Sequence, residues 1–76
     1  MTASQVQNII ALKVALRDVK AARQNLKMAA LDICTDDMGS DALGIRYKIL
    51  GELSTLDELA GAIWMAAERA TKEVDE

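Results

Sequence analysis

Four basic residues in the first half of this 76-residue chain have the clearest chemical potential. They are separated by three, four or seven positions, which places them along one side of an α-helix. Such a row could bind the phosphates of RNA or DNA. It could also flank a helical seam, where it would meet acidic residues and select an antiparallel partner helix. The four residues are Lys13, Arg17, Lys20 and Lys27.

Residue types that support catalysis are sparse. The chain contains no histidine, which is the commonest general base and metal ligand. Its one cysteine, Cys34, is expected to be a small buried hydrophobe near the carboxyl end of a helix, where the dipole disfavours a thiolate. The aspartates at 32, 36, 37 and 41 do not follow the spacing of an EF-hand calcium loop. We therefore expect a protein that is not an enzyme and has no cofactor or metal.

The composition favours a single all-α domain over residues 1–76. Proline is absent, and the chain is rich in alanine, leucine and other helix formers. The net charge of −3 and pI near 4.8 exclude a general polycation. The longest charge-free stretch, residues 1–12, is too short to span a bilayer. A single cysteine suits a reducing compartment, so a cytoplasmic location without membrane association is predicted.

Apolar residues at alternating steps of three and four predict a first helix over about residues 4–34. Ser4 is its candidate N-cap. In heptad notation, Arg23 is the one polar residue among the a and d positions. The a positions are Ile9, Leu16, Arg23 and Ala30, and the d positions are Leu12, Val19, Leu26 and Ile33.

Residues 35–41 contain the Asp, Gly and Ser typical of a turn, and a second helix is predicted over about residues 41–73. One unbroken helix is favoured. The alternative is a kink or break near Gly51–Thr55, because Thr55-Leu56-Asp57-Glu58 has the form of a capping box. The predicted apolar stripe comprises Ile45, Ile49, Leu56, Leu59, Ile63, Ala66, Ala67, Ala70 and Val74.

Folding the halves into an antiparallel hairpin about the turn pairs residues whose numbers sum to about 75. At that register apolar residues face apolar residues along the whole seam. Arg23, the polar a position, faces Glu52, the acidic interruption of the second stripe. The sequence thus predicts an Arg23–Glu52 ion pair that fixes the alignment. The other possibility is that Arg23 extends along its aliphatic stem to water.

Large apolar side chains also lie away from the predicted seam. Because a helix that is apolar on two sides is buried on two sides, the hairpin is expected to form a homodimeric four-helix bundle or to bind another protein. Asp57 and Glu58 would add acidic contacts. The apolar candidates for the partner-binding surface are Leu43, Tyr47, Leu50, Trp64 and Met65.

The predicted function is a small adaptor, regulator or inhibitor that occupies a surface of a larger protein, as phage-encoded inhibitors do. The alternative is a dimeric bundle that binds nucleic acid through the basic row. The acidic second helix, and the lack of aromatic residues interleaved in sequence with that row, weigh against it. A third possibility is a protein that sequesters a small ligand in a pocket between subunits.

Overall fold

The protein is a hairpin of two long α-helices. The structure, a computed structural model, describes residues 2–33 and 39–75. Helix α1 covers Ala3–Asp32 and helix α2 covers Ser40–Asp75, with no strand in the described ranges. The predicted all-α helical hairpin is confirmed. Cys34 and residues 35–38 of the predicted turn lie outside the described residues.

A reciprocal capping box starts α1. The backbone N–H of Gln5 donates to Thr2 Oγ1 at 3.1 Å, and the backbone N–H of Thr2 donates to Gln5 Oε1 at 2.8 Å. The expected cap Ser4 is therefore wrong, because the Thr-x-x-Gln pair begins two residues earlier and satisfies two amides at once. At the other end, Ile33 turns extended with φ −70° and ψ 116°, so α1 ends at Asp32.

Helix α2 runs without interruption from Ser40 to Asp75, which is the favoured of the two predicted alternatives. At its start the carbonyl of Gly39 accepts a hydrogen bond of 3.2 Å from the N–H of Leu43. Neither Gly51 nor the potential capping box at Thr55 ends the helix. Burial of Leu53 inside that stretch accounts for the continuity, since packing of an apolar face outweighs a local cap.

The seam of α1 matches its predicted heptad. All eight a and d residues are half-buried or, for Ala30, fully buried, whereas most other positions are exposed. The seam of α2 differs from its predicted stripe. It keeps Ile49, Leu56, Ile63, Ala67 and Ala70. The remaining seam residues are Ala42, Arg46, Leu53 and Ala60.

Ile45 and Leu59, which were predicted to lie in the seam of α2, are instead 54% and 46% exposed. The row that holds them also holds Glu52, whose carboxylate would lose water if that row faced α1. The neighbouring row of α2, on the other side of Ile49, has Leu53 at nearly the same position along the helix axis as Glu52. Compared with the predicted orientation, α2 is rotated about its own axis. Leu53 is therefore only 8% exposed, and Glu52 remains in solvent.

An ion pair between the helices shows their register. Arg23 Nε lies 2.5 Å from Asp57 Oδ1, so residues that meet have numbers summing to about 80 rather than 75. The predicted partner Glu52 is wrong, because it is on the exposed row just described. Arg23 Nε is buried but makes no well-aligned hydrogen bond to a described residue, so the contact is mainly charge attraction.

This register places the first turns of α2 beyond the end of α1. It also sets Leu26 level with Leu53, and Leu16 level with Ile63. The predicted register assumed that the chain doubles back about the middle of the turn. The alignment depends instead on which rows of the two helices pack together, since apolar rows must face each other over the full length of α1.

The hairpin has a very small core of its own. Only Ala30, Leu53 and Ala67 are buried among the described residues, and no large side chain is fully enclosed. The molecule measures 58 × 15 × 13 Å, with a radius of gyration of 17.4 Å. A compact domain of this length would have a radius of about 11 Å. Neither helix contains a described segment apolar and long enough to cross a membrane.

Replacement of Gly51 by alanine is expected to stabilise the fold. A Cβ atom built at Gly51 meets nothing within 4 Å, and the residue lies inside α2. Because glycine in a helix interior is less favourable than alanine, Gly51→Ala should raise the free energy of unfolding by about 0.5–1 kcal/mol. Urea denaturation followed by circular dichroism measures this, and Ala21→Gly on exposed α1 surface should show the opposite change. A loss of stability in Gly51→Ala would contradict the open position.

Neutralising Asp57 should destabilise the hairpin, whereas neutralising Glu52 should not. Asp57→Asn removes the charge opposite Arg23 and is expected to lower the free energy of unfolding by up to about 1 kcal/mol, because the pair is partly exposed. Glu52→Gln should change it by less than about 0.5 kcal/mol.

The same urea measurement in an Arg23→Gln background provides the control. There Asp57→Asn should have almost no effect, since its partner charge is gone. An equal cost of Asp57→Asn with and without Arg23 would show that the two residues are not coupled.

Candidate partner-binding site

One side of the hairpin combines basic and apolar residues from both helices. Three lysines recur every seven residues along α1, beside the seam. Along α2 a second column with the same spacing contains an apolar residue, an acid and an aromatic. We call this surface the lysine–tryptophan flank; its residues are Lys13, Lys20, Lys27, Leu50, Asp57 and Trp64.

Trp64 is the largest side chain of this flank and is 54% exposed. A groove of about 230 Å³ lies between the helices next to its ring. Lys13 and Leu16 of α1 line one wall of the groove. The α2 wall consists of Trp64, Ala67, Glu68 and Thr71. Thr71 Oγ1 donates a hydrogen bond of 2.8 Å to the carbonyl of Ala67, so its hydroxyl is satisfied within α2 and the wall is largely apolar.

A second shallow groove borders Trp64 on the outer side of α2. Met65 and Glu68 line it together with two cations, Arg69 and Lys72. The indole therefore stands between two depressions, with basic residues on either side. Sequence reasoning missed Arg69 and Lys72. Their spacing of four and seven residues from Met65 could have identified them, because such residues share a helix face.

The three lysines of the flank make no ion pair with any described residue. The ion pairs in this part of the chain are Arg23–Asp57 and Arg17–Asp18. The predicted column of acids on α2 that would meet the lysines is therefore not present, because its one acid, Asp57, meets Arg23. The flank carries a local positive charge on a chain whose net charge is −3.

Arg17 has a different environment from the lysines. It is one helical step further from α2, and its Nη2 lies 3.2 Å from Oδ1 of its neighbour Asp18. Both side chains are largely exposed. Since α1 is unbroken from Lys13 to Lys27, all four predicted cations still follow one side of the helix, and the lysines form the part nearest α2.

The predicted partner-binding residues fall into two separate patches. Leu43, Tyr47 and Leu50 share one side of α2 near its start, and Tyr47 is 66% exposed. Trp64 begins the second patch, fourteen residues after Leu50 and thus about 21 Å further along the helix. Met65, which is 56% exposed, belongs with it.

The two predicted acidic contacts differ in availability. Asp57 is engaged with Arg23 between the two patches. Glu58 is exposed on the outer side of α2 and remains accessible. The acidic contribution to this surface is therefore smaller than its sequence indicates, and the cations beside Trp64 dominate its charge.

The described residues of this surface form shallow grooves and hold no cluster of metal ligands. No described residues group three potential metal ligands together. The groove beside Trp64 is below the 300–1,000 Å³ range of ordinary small-molecule pockets and is open to solvent. Tryptophan, methionine and arginine, which meet beside these grooves, are residue types enriched in protein–protein contacts, whereas lysine is not.

Comparison of the chain with protein-family models, curated proteins and solved structures gives no match. The function is therefore inferred from the contacts described above.

Proposed function

We propose that the protein is a non-enzymatic regulator or inhibitor that binds an acidic, partly apolar surface of a larger cytoplasmic protein through its lysine–tryptophan flank. The observation that carries this proposal is the position of Trp64. Its ring is more than half exposed, beside two grooves lined by three cations, Lys13, Arg69 and Lys72, and by one acid, Glu68. The single cysteine agrees with a reducing compartment.

The apolar part of the site supplies the affinity. A tryptophan buries 150–250 Å² when it is covered, and tryptophan is enriched among the residues that dominate binding energy at interfaces. Met65 adds a flexible side chain that adapts to the shape of a partner. Tyr47 and Leu50, near the other end of the flank, provide a second anchor at a distance that a partner helix of four turns could span.

The charges of the site determine which partner it favours. Lys13, Lys20 and Lys27 have no acidic partner among the described residues, so an acidic surface would meet three available cations. Complementary charge speeds encounter and excludes basic competitors, while the aromatic contact sets the lifetime of the complex. A partner with acidic and apolar residues alternating on one face fits this arrangement.

The active unit is a homodimer that forms a four-helix bundle. The support for this is the apolar surface that one hairpin leaves open, including Ile45 and Leu59. A second copy of the chain is a partner that is present wherever the protein itself is present. Dimerisation would also supply the core that the single hairpin lacks.

A library of displayed amphipathic peptides tests the proposed partner chemistry. Peptides that bind the wild-type protein should be enriched in Asp and Glu. Trp64→Ala should weaken the binding of the selected peptides by at least about 30-fold, as expected for an interface hot spot. Lys20→Glu should also weaken it, and circular dichroism should show unchanged helicity in both variants.

Lys48→Glu is the matched control, because Lys48 is an exposed lysine of α2 outside the flank. It should bind the selected peptides almost as well as the wild type. Enrichment of basic or uncharged peptides, or equal binding by Trp64→Ala, would refute the proposal.

A second function, nucleic-acid binding, is favoured by one observation. In sequence no aromatic residue interrupts the basic row of α1, but the fold places Trp64 of α2 beside Lys13. Basic residues next to an exposed aromatic ring are the combination that binds single-stranded nucleic acid by phosphate contact and base stacking. The acidic net charge of the chain acts against it.

Fluorescence of the chain's one tryptophan distinguishes this function from the first. If a single-stranded oligonucleotide stacks on Trp64, it should quench the emission. With three lysines engaged, the logarithm of the affinity should fall with the logarithm of salt concentration with a slope of about −2. Lys20→Gln should reduce that slope by about 0.7. Emission that does not change on adding the oligonucleotide would exclude nucleic-acid binding at this flank.

A further inference from the structure

We infer that the second copy of the chain packs on the side of the hairpin opposite the lysine–tryptophan flank, with α1 of each copy against α2 of the other. This inference rests on the proposed homodimer and adds the face and the arrangement. We call the face the alanine flank; its residues are Ala15, Ala22 and Ala29 of α1 with Ile45, Glu52, Leu59 and Ala66 of α2.

The hairpin exposes enough surface to form a stable interface with such a partner. Its accessible surface is 5701 Å². A compact monomer of 8.2 kDa exposes about 4,500 Å². The excess of about 1,200 Å² is more than the 800 Å² per partner that a standard stable interface buries. A second copy covering one face of the hairpin would remove part of this excess.

Charge selects which face a second copy can cover. A twofold interface is built from the same surface patch of both copies. On the lysine–tryptophan flank this would bring six lysines into one interface, while the one acid of each flank is already engaged by Arg23. In the columns of the alanine flank between residues 15–29 and 45–66, Glu52 is the only charged residue. Self-association therefore costs much less on the alanine flank.

The shapes of the two columns select the arrangement within the dimer. The α1 column consists of alanines, and the α2 column carries the large exposed side chains of Ile45 and Leu59. Facing rows pack best when large residues meet small ones. A twofold axis parallel to the helices places the α2 column of one copy over the alanine column of the other, and all neighbouring helices are then antiparallel.

The register of the hairpin also supports this arrangement. The Arg23–Asp57 contact sets Leu59 at nearly the same height as Ala22. A twofold axis along the bundle preserves height, so Leu59 of each copy would project toward Ala22 of the other. The other arrangement, with α1 against α1, would pair alanine with alanine and leave Leu59 without a small residue opposite it.

Two neighbouring alanines test the face by analytical ultracentrifugation of the whole chain. Wild-type protein should sediment with twice the mass of 8.2 kDa. Ala22→Glu should raise the dimer dissociation constant by at least about 100-fold, because the carboxylate would be covered by the second copy. Ala21→Glu introduces the same charge on the far side of α1, where the residue is exposed, and should stay dimeric.

A second matched pair, on α2, guards against loss of folding in the glutamate variants. Leu59→Ala should weaken the dimer, whereas Leu50→Ala should not. The two leucines are similarly exposed, at 46% and 41%, but lie on opposite flanks. Both variants should keep wild-type helicity in circular dichroism at high protein concentration.

Three results would overturn the inference: a monomeric wild type at millimolar concentration, an intact dimer in Ala22→Glu, or stronger dissociation in Leu50→Ala than in Leu59→Ala. Binding of the selected acidic peptides by Trp64 is measured separately in the same samples. A dimer that forms elsewhere, with peptide binding retained, would reject the alanine flank and leave the proposed function standing.

Discussion

The constraint that governs this molecule is that two helices can cover each other along only one stripe each. Among the described residues of this hairpin, three small or medium side chains are therefore buried, the other seam residues are half-buried, and large apolar side chains outside the seam stay exposed. A single carboxylate determines which stripe of α2 faces α1. Glu52 cannot enter the seam without losing its hydration, so α2 presents Leu53, and this rotation determines every exposed row.

The orientation of α2 about its own axis also determines which side chains of the two helices share a face. With Leu53 in the seam, Asp57 reaches Arg23 and Trp64 comes beside Lys13. The same rotation moves Ile45 and Leu59 to the opposite side. One local electrostatic cost thus separates the surface into a basic aromatic flank and a nearly uncharged flank.

Sequence reasoning predicted the helices and the seam of α1 well, because only one row of α1 carries large apolar residues at regular steps of three and four over its full length. Helix α2 was harder, since Ile49, Leu56 and Ile63 fit two stripes that differ only in their side rows. The predicted Arg23–Glu52 pair assumed that the two polar exceptions must meet. The free-energy cost of burying Glu52, compared with that of exposing Leu59, depends on how both helices pack. The apolar pattern of α2 alone therefore could not show which of its stripes faces α1. The proximity of Trp64 to the lysines could likewise not be predicted from the sequence of α1, because Trp64 belongs to the other helix.

The extension of α2 beyond the end of α1 has a consequence for motion. Residues near Leu43 lack the neighbouring helix that protects the middle of α2, so their amides should open locally at low free energy. Amide hydrogen exchange should consequently slow down along α2, from these first turns toward the stretch around Leu53. A partner that settles on Tyr47 would order this segment as it binds, and part of its binding energy would be spent on suppressing that opening.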